Sequence, residues 1–145
     1  MTGRLVGILR KEKPRAVPET LGHARVSKDE GIAGDYRGRT PDRQVTVMAR
    51  EDWTAACREL GRELPWTTRR ANLCVEGVDL PQRAGAQLKI GKLILEVMQE
   101  TDPCSVMEAQ AVGLRAALAP DWRGGVSCRV IEAADIALGD AVELL

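Results

Sequence analysis

Histidine and aromatic residues are scarce in this sequence. Its 145 residues include one histidine, three tryptophans, one tyrosine and no phenylalanine. A metal site built on two or three histidine ligands is therefore excluded, and a nucleophile that needs a histidine base could use only His23. No nucleophilic side chain lies directly beside His23 in the sequence, so we interpret this residue as a surface histidine at a strand end.

An excess of charge of either sign and a long apolar run are missing as well. The 21 basic residues are balanced by 21 acidic ones, which excludes the electrostatic footprint of nucleic-acid and anionic-membrane binders. No apolar run approaches the roughly 20 residues that cross a bilayer, and residues 1–4 do not open a signal peptide. We therefore expect one compact cytoplasmic domain that binds neither nucleic acid nor membrane. Any anionic ligand should be small and locally bound.

Short strand patterns dominate the chain and predict a mainly β fold. The predicted strands lie at residues 4–9, 24–27, 44–48, 72–76, 87–90, 93–98, 126–132 and 141–145. Gly91 and Lys92 should form a two-residue hairpin turn, and the glycine-rich residues 31–39 a loop folded against another part of the chain. Helices are predicted over residues 49–64, ended by Pro65, and over residues 105–118, weakened by Gly113. This pattern indicates a β-barrel or sandwich with about two helices.

The cysteines are too far apart for a C-x-x-C motif, so we expect reduced thiols rather than a zinc ribbon or a thioredoxin-type site. Cys57 lies on the apolar stripe of the first predicted helix, and Cys128 alternates with valines on one strand face. Both are typical of small buried side chains. Cys74 shares its strand with Asn72 and Glu76, which leaves a buried position and the border of a polar cleft both open.

Cys104 differs from the other cysteines because it lies within one turn of a predicted helix start. Asp102 can cap that helix with Pro103 at its first position, or Ser105 and Glu108 can form a capping box. The free backbone N–H groups there favour an anion, so this thiol is the best candidate for a thiolate nucleophile or a soft metal ligand. From the residues alone, a structural cysteine at a helix start remains an equal alternative.

Several motifs, taken together and in order, point to a family. They are residues 31–35 (GIAGD), 43–47 (RQVTV), 70–80 (RANLCVEGVDL), 88–91 (LKIG), 95–97 (LEV), 103–104 (PC), 123–126 (RGGV) and 138–142 (LGDAV). This arrangement resembles the MOSC domain, which is named after the C-terminal part of molybdenum cofactor sulfurases. The resemblance covers nearly the whole chain and implies a single MOSC-type β-barrel over residues 1–145, without the additional domains of larger relatives.

The resemblance implies a role for Cys104 with molybdenum or sulfur. In relatives that bind the molybdenum cofactor (molybdopterin), the matching thiolate ligates the metal in enzymes that reduce N-hydroxylated compounds. In the sulfurases, the domain is fused to a cysteine desulfurase whose pyridoxal phosphate would here belong to a partner. Stand-alone members are also proposed to carry a persulfide on this cysteine. A polarizable thiolate suits each of these roles. A non-catalytic module that delivers cofactor or sulfur to a partner enzyme is the alternative function.

Four polar residues are predicted to bind the cofactor. Arg70 and Arg123 lie inside matched motifs, Arg37 lies in the glycine-rich loop, and the amide of Asn72 can pair with a pterin edge or orient the cysteine. We expect Arg70, Asn72 and Arg123 to line one cleft with Cys104. Weaker candidates are Arg39, Arg69, Asp35 and Gln44. The alternative role is a solvated surface position for the two arginines, turn capping for Asp35 and strand-edge bonding for Gln44.

Overall fold

The computed structural model describes residues 2–145, and its architecture is mainly β. The strands are β1 (Gly3–Arg10), β2 (Glu19–Thr20), β3 (His23–Ser27), β4 (Gly31–Ile32), β5 (Val45–Ala49), β6 (Leu73–Glu76), β7 (Gln87–Ile90), β8 (Leu93–Glu100), β9 (Val126–Glu132), β10 (Ala134–Ala137) and β11 (Ala141–Leu144). The helices are α1 (Arg50–Leu60), α2 (Ser105–Gln110), α3 (Leu114–Leu118) and two 3-10 helices, Trp66–Arg69 and Pro120–Trp122. None of the helices in residues 2–145 has the length and apolar character of a membrane span.

Seven strands close into a barrel in the order β11, β7, β8, β9, β5, β6 and β1, and β1 pairs with β11 to complete the ring. The pairing of β5 with β6 is parallel, whereas the other pairings in the ring are antiparallel. A smaller sheet of β10, β3 and β4 lies beside the barrel. The predicted mainly β barrel is therefore confirmed, and the hairpin at Gly91 and Lys92 joins β7 to β8 as expected.

The alternation of side chains along the strands divides the apolar residues into two cores. On β5, Val45 and Val47 belong to the cluster inside the barrel, whereas Met48 belongs to a second cluster between the barrel and the helices. On β6, Cys74 also joins the second cluster. The period of two that defines a strand thus explains why one sheet contacts two separate cores.

The first predicted helix is confirmed but is shorter than expected. It spans Arg50–Leu60 and buries Trp53, Ala56 and Cys57 against the barrel. It ends at Gly61, whose φ of 74° is left-handed, and the N–H groups of Gly61 and Arg62 bond to the carbonyls of Arg58 and Cys57. A glycine cap therefore stops this helix before Pro65 is reached.

The second predicted helix is two helices in the structure. Helix α2 ends at Gln110, and α3 begins after Gly113, whose φ is 91°. The Glu108 carboxylate accepts hydrogen bonds from the backbone N–H groups of Gly113 and Arg115, at 2.9 and 3.3 Å. Glu108 thus supports the start of α3 and makes no capping box with Ser105, contrary to that alternative.

The helical layer should contribute strongly to stability through Leu114. This side chain is fully buried in the second core, so Leu114→Ala is expected to lower the free energy of unfolding by about 2 to 5 kcal/mol. Urea denaturation measures the effect. The control is Leu138→Ala, because Leu138 is 48% exposed and its replacement should change little. Equal denaturation midpoints for the two variants would contradict the packing described here.

Candidate functional site

A cleft of about 160 Å³ opens where β1 and β8 end and β6 begins. The loop that contains residues 35–37 and the start of α2 also contribute to its walls. Its lining residues are Leu9, Lys11, Asp35, Tyr36, Arg37, Arg43, Thr46, Arg69, Arg70, Ala71, Asn72, Thr101, Asp102, Cys104, Val106 and Met107. Three of the four residues predicted to share one cleft therefore meet there, and Arg37 joins them.

Cys104 lies exposed at the rim of this cleft, directly before α2. Cys104 is itself the N-cap, with extended backbone angles and no capping hydrogen bond from its side chain. Its carbonyl accepts hydrogen bonds from the N–H groups of Met107 and Glu108. The prediction that Asp102 caps the helix is therefore wrong, but the prediction that Cys104 lies at the helix start is confirmed. The sulfur is accessible to a ligand in the cleft.

The three other cysteines are buried free thiols. Burial raises the pKa of Cys74 to about 12 and the pKa of Cys128 to about 12. Cys74, whose position the sequence left open, lies fully inside the second core rather than at a polar border. Cys57 is 9% exposed on the buried face of α1. The structure thus leaves Cys104 as the accessible thiol.

Limited alkylation of the folded protein at neutral pH is expected to label Cys104 well before the other cysteines. Cys74 and Cys128 remain protonated at this pH and are out of reach, whereas Cys104 is exposed. Peptide mass mapping after short exposure to a thiol reagent measures the order of labelling. Denaturation beforehand should make all four cysteines reactive. Labelling of Cys57 or Cys128 before Cys104 in the native protein would show that the assignment is wrong.

Arg69 fixes the segment that carries the cysteine. Its side chain is buried and donates hydrogen bonds from Nε to the carbonyl of Gly124 at 3.1 Å and from Nη2 to the carbonyl of Thr101 at 2.8 Å. Burial lowers the pKa of Arg69, and the nearby Cys104 and Asp102 oppose that shift. Arg69 was only a weaker candidate from sequence. In the structure it braces two loops and adds positive charge beside the thiol.

The position of Arg69 depends on two glycines in distant parts of the chain. On β1, a Cβ on Gly7 would collide with the ring of Trp66, so glycine allows the 3-10 helix Trp66–Arg69 to pack closely against the strand. A Cβ on Gly124 would collide with the carbonyl of Thr101 and approach Arg69 Nη2 to 3.1 Å. The glycine in the motif at residues 123–126 therefore makes room for the bonds of Arg69.

Arg70 and Asn72 have different roles in the cleft. Arg70 follows the 3-10 helix with a left-handed φ of 67° and lines the cavity. Asn72 is 7% exposed, and its Oδ1 accepts hydrogen bonds from the backbone N–H and the hydroxyl of Thr46. Its Nδ2 donates to the carbonyl of Leu9 at 3.2 Å. Asn72 therefore ties β1 and β5 together at the mouth of the barrel, while Arg70 is available to a ligand.

The glycine-rich loop folds against the end of β1, as predicted. The Asp35 carboxylate accepts a hydrogen bond from the N–H of Lys11, and the N–H of Tyr36 donates to the Lys11 carbonyl. The Tyr36 ring lies 5.4 Å from Lys11 Nζ and 5.2 Å from the guanidinium carbon of Arg37. Such stacking of cations on a ring is favourable. The loop thus holds Arg37 at the cleft. The Asp35 carboxylate ties this loop to the end of β1, 24 residues earlier in the chain, and does not have the turn-capping role that was its alternative.

Arg123 does not reach the cleft, and its predicted convergence with Arg70 is wrong. Its Nη1 pairs with the Glu59 carboxylate on α1 at 2.8 Å and donates to the Ala117 carbonyl at 3.0 Å. These partners hold the guanidinium among the helices. Gln44, a weaker candidate, bridges loop and strand: its amide donates to the Lys28 carbonyl and accepts from the N–H of Val130. This is the strand-edge role that we gave as its alternative. Arg39 lies outside the cleft lining.

The charge of the cleft differs from that of the whole chain. Five cationic side chains and two carboxylates line it, although the protein has no net charge. The cations are Lys11, Arg37, Arg43, Arg69 and Arg70. Lys11 and Arg43 were not among the predicted site residues. Lys11 is a lone charged residue before a proline-containing loop, which is the pattern of a solvated surface, whereas Arg43 opens the matched motif at residues 43–47.

Comparisons with known proteins agree with this architecture. The family model described as "MOSC domain" matches residues 33–143. The crystal structure of the YuaD protein from Bacillus subtilis is 20% identical and superposes with a TM-score of 0.82, covering 99% of this chain and 96% of that one. YiiM from Escherichia coli is 18% identical with a TM-score of 0.73, covering 98% of this chain and 69% of that one. YiiM from Geobacillus stearothermophilus is 18% identical with a TM-score of 0.70, covering 99% and 73%. No curated protein matches the sequence.

Proposed function

The chain belongs to the MOSC domain family, and from this membership we propose that its cleft binds the molybdenum cofactor and that Cys104 ligates the metal or carries sulfur. One observation carries the proposal: an exposed thiol lies at the rim of a cleft lined by five cations. MOSC domains are associated with this cofactor. A soft thiolate suits molybdenum or a transferable sulfur atom, and the cations suit an anionic pterin.

The donor set fits a cofactor that brings its own metal. Among residues 2–145 there is no group of three or more histidine, cysteine, aspartate or glutamate side chains that could hold a metal ion. Cys104 alone could not retain a free ion, but it can complete the coordination of a metal held mainly by other ligands. The cleft thus fits the intact cofactor better than a bare ion.

The cations of the cleft would share the binding of an anionic group. Arg37 and Arg70 line the cavity and have planar guanidinium groups that match the geometry of phosphate oxygens. Arg69 is committed to two backbone carbonyls, so it positions the thiol segment and contributes charge. Asn72 supports the arginines indirectly, because its hydrogen bonds to Thr46 and Leu9 hold β5 and β1 together at the mouth of the barrel. When bound, the cofactor supplies redox chemistry at its metal, and reduction of N-hydroxylated compounds is the reaction that we propose for this form.

Sulfur transfer uses the same thiol without a metal. In this form, the Cys104 thiolate attacks the outer sulfur of a persulfide on a cysteine desulfurase, and a new S–S bond forms at Cys104. The S–S bond of the donor breaks, and the donor cysteine leaves as a thiolate, so no external oxidant is required. The free state of all four cysteines suits the reducing cytoplasm, where we place this reaction. A carrier that only hands on the sulfur or the cofactor to a partner enzyme is the non-catalytic alternative.

Analysis of protein purified from a host that makes the cofactor tests the proposal. We expect molybdenum and pterin in equal amounts with the protein if the cofactor form is correct. If the persulfide form is correct, we expect a Cys104 peptide that is heavier by one sulfur atom and that loses this mass on reduction. Incubation with an N-hydroxylated substrate and a reductant then separates an enzyme from a carrier. Absence of molybdenum, pterin and persulfide would overturn the proposal.

Arg70→Gln is expected to weaken cofactor binding about 10- to 100-fold while the domain stays folded, because it removes one guanidinium from the proposed anion site. The matched control is Arg129→Gln, which removes an exposed arginine that pairs with Glu96 outside the cleft. Titration of both variants with the isolated cofactor measures the affinities. Equal affinities would show that Arg70 does not contact the anionic group.

A further inference from the structure

Lys11 is one of the five cations of the cleft, and the proposed function uses it only as a positive charge. It is 8% exposed, whereas the other lysines, Lys13, Lys28, Lys89 and Lys92, are exposed or half-buried. Its ammonium group lies 5.4 Å from the centre of the Tyr36 ring, and no hydrogen bond or ion pair of that group is found within residues 2–145. The Lys11 Nζ atom is nevertheless reachable from solvent. Every fully enclosed side-chain nitrogen or oxygen among the described residues has a hydrogen-bond partner, and because Nζ has none, it is not enclosed. The open side of Lys11 is the cleft.

The surroundings of Lys11 favour its neutral form. Burial lowers its pKa, the positive charges of Arg70 and Arg37 lower it further, and Asp35 opposes the shift. The Tyr36 ring lies beside the amine, and the Asp35 oxygen bonds to the backbone N–H of Lys11 rather than to the ammonium group. A lysine whose pKa is lowered in this way has more of its nucleophilic neutral form at neutral pH than an exposed lysine has.

We propose that Lys11 is a modification site that captures small phosphorylated aldehydes, with Arg37 and Arg70 binding the phosphate while the amine attacks the carbonyl carbon. The two guanidinium groups and the amine line the same cavity, so both ends of such a molecule can be met at once. This site is separate in chemistry from Cys104, and its test is independent of molybdenum and of persulfide.

The chemical step is a condensation. The neutral amine adds to the aldehyde carbon, and the C=O bond becomes a C–O single bond in a carbinolamine. Loss of water then forms a C=N bond to Nζ, so one water leaves and no electrons are exchanged with another reagent. Binding of the phosphate offsets part of the repulsion from the guanidinium groups, but burial, the larger cause of the lowered pKa, persists.

Reductive trapping tests this inference on the full chain, purified from a host that lacks the molybdenum cofactor. The protein is mixed with one equivalent of pyridoxal 5′-phosphate at neutral pH, reduced with borohydride and mapped by peptide mass. We expect Lys11 to carry more label than the four other lysines together. Excess inorganic phosphate should protect Lys11 and leave Lys92 unchanged. Pyridoxal, which lacks the phosphate, should show no preference for Lys11.

Two variants make the comparison specific. Lys11→Arg keeps a cation but cannot form the imine, so total lysine labelling should fall by more than half. Lys92→Arg removes an exposed lysine from the hairpin turn and should change the total little. If Lys11→Arg does not fold, the map of the wild-type protein decides the question alone. Label distributed over the lysines in proportion to their exposure, or equal labelling by pyridoxal, would overturn the proposal.

Discussion

Cys104→Ser is expected to abolish both molybdenum ligation and persulfide formation while the domain remains folded. A serine hydroxyl is a hard, weakly acidic group that neither coordinates a soft metal well nor forms an S–S bond. The cost in stability should be within about 0.5 kcal/mol, because Cys104 is exposed and its side chain makes no capping bond. Loss of the chemistry without loss of the fold is therefore the expected signature.

The measurement compares metal content, persulfide mass and thermal unfolding of the Cys104→Ser protein with those of Cys57→Ala. The control also removes one thiol, but Cys57 lies on the buried face of α1, away from the cleft. We expect Cys57→Ala to lose stability and to keep the chemistry. Molybdenum or persulfide retained at wild-type levels in Cys104→Ser would remove Cys104 from the proposed mechanism.

Much of the fold could be predicted from the sequence because it depends on local pattern. The alternation on β5 and the turn at Gly91 define strands and a hairpin without reference to the rest of the chain. The residues at which the helices end were harder to predict. The end of α1 at Gly61 and the break at Gly113 require left-handed backbone angles. The sequence offers glycines at many positions but does not indicate which of them adopt such angles.

Residues of the candidate site could be predicted where they lie next to the start of a helix or strand that the local sequence defines. Cys104 precedes a helix, and Arg70 precedes a strand, so their positions follow from the elements. The prediction that Arg123 lines the cleft was wrong because its partner Glu59 is 64 residues away in the chain and belongs to another element. Lys11 was missed for the same reason, since its burial depends on the return of the loop at Asp35. Long-range contacts decide which arginines and lysines face a cavity.

Arg69→Met is expected to destabilise the protein more than any other substitution of a charged residue in the cleft. The methionine fills a similar volume but leaves the buried carbonyls of Thr101 and Gly124 without their donor. Unpaired buried polar groups of this kind cost about 1 to 3 kcal/mol each, so the loss of both bonds should lower the free energy of unfolding by about 2 to 6 kcal/mol. Urea denaturation measures the loss.

A substitution of the neighbouring Arg70 is the control. It separates the role of holding the segment of residues 101–104 from the role of binding the cofactor. Arg70→Met removes a guanidinium that lines the cleft, and the structure gives it no hydrogen bond to a buried carbonyl among the described residues. We therefore expect Arg70→Met to unfold within about 0.5 kcal/mol of the wild type and to lose affinity for the cofactor. In Arg69→Met, Cys104 should also be alkylated at a changed rate at low urea, because the segment from Thr101 to Cys104 has lost its brace. If both variants unfold at the same urea concentration, Arg69 does not hold that segment in place.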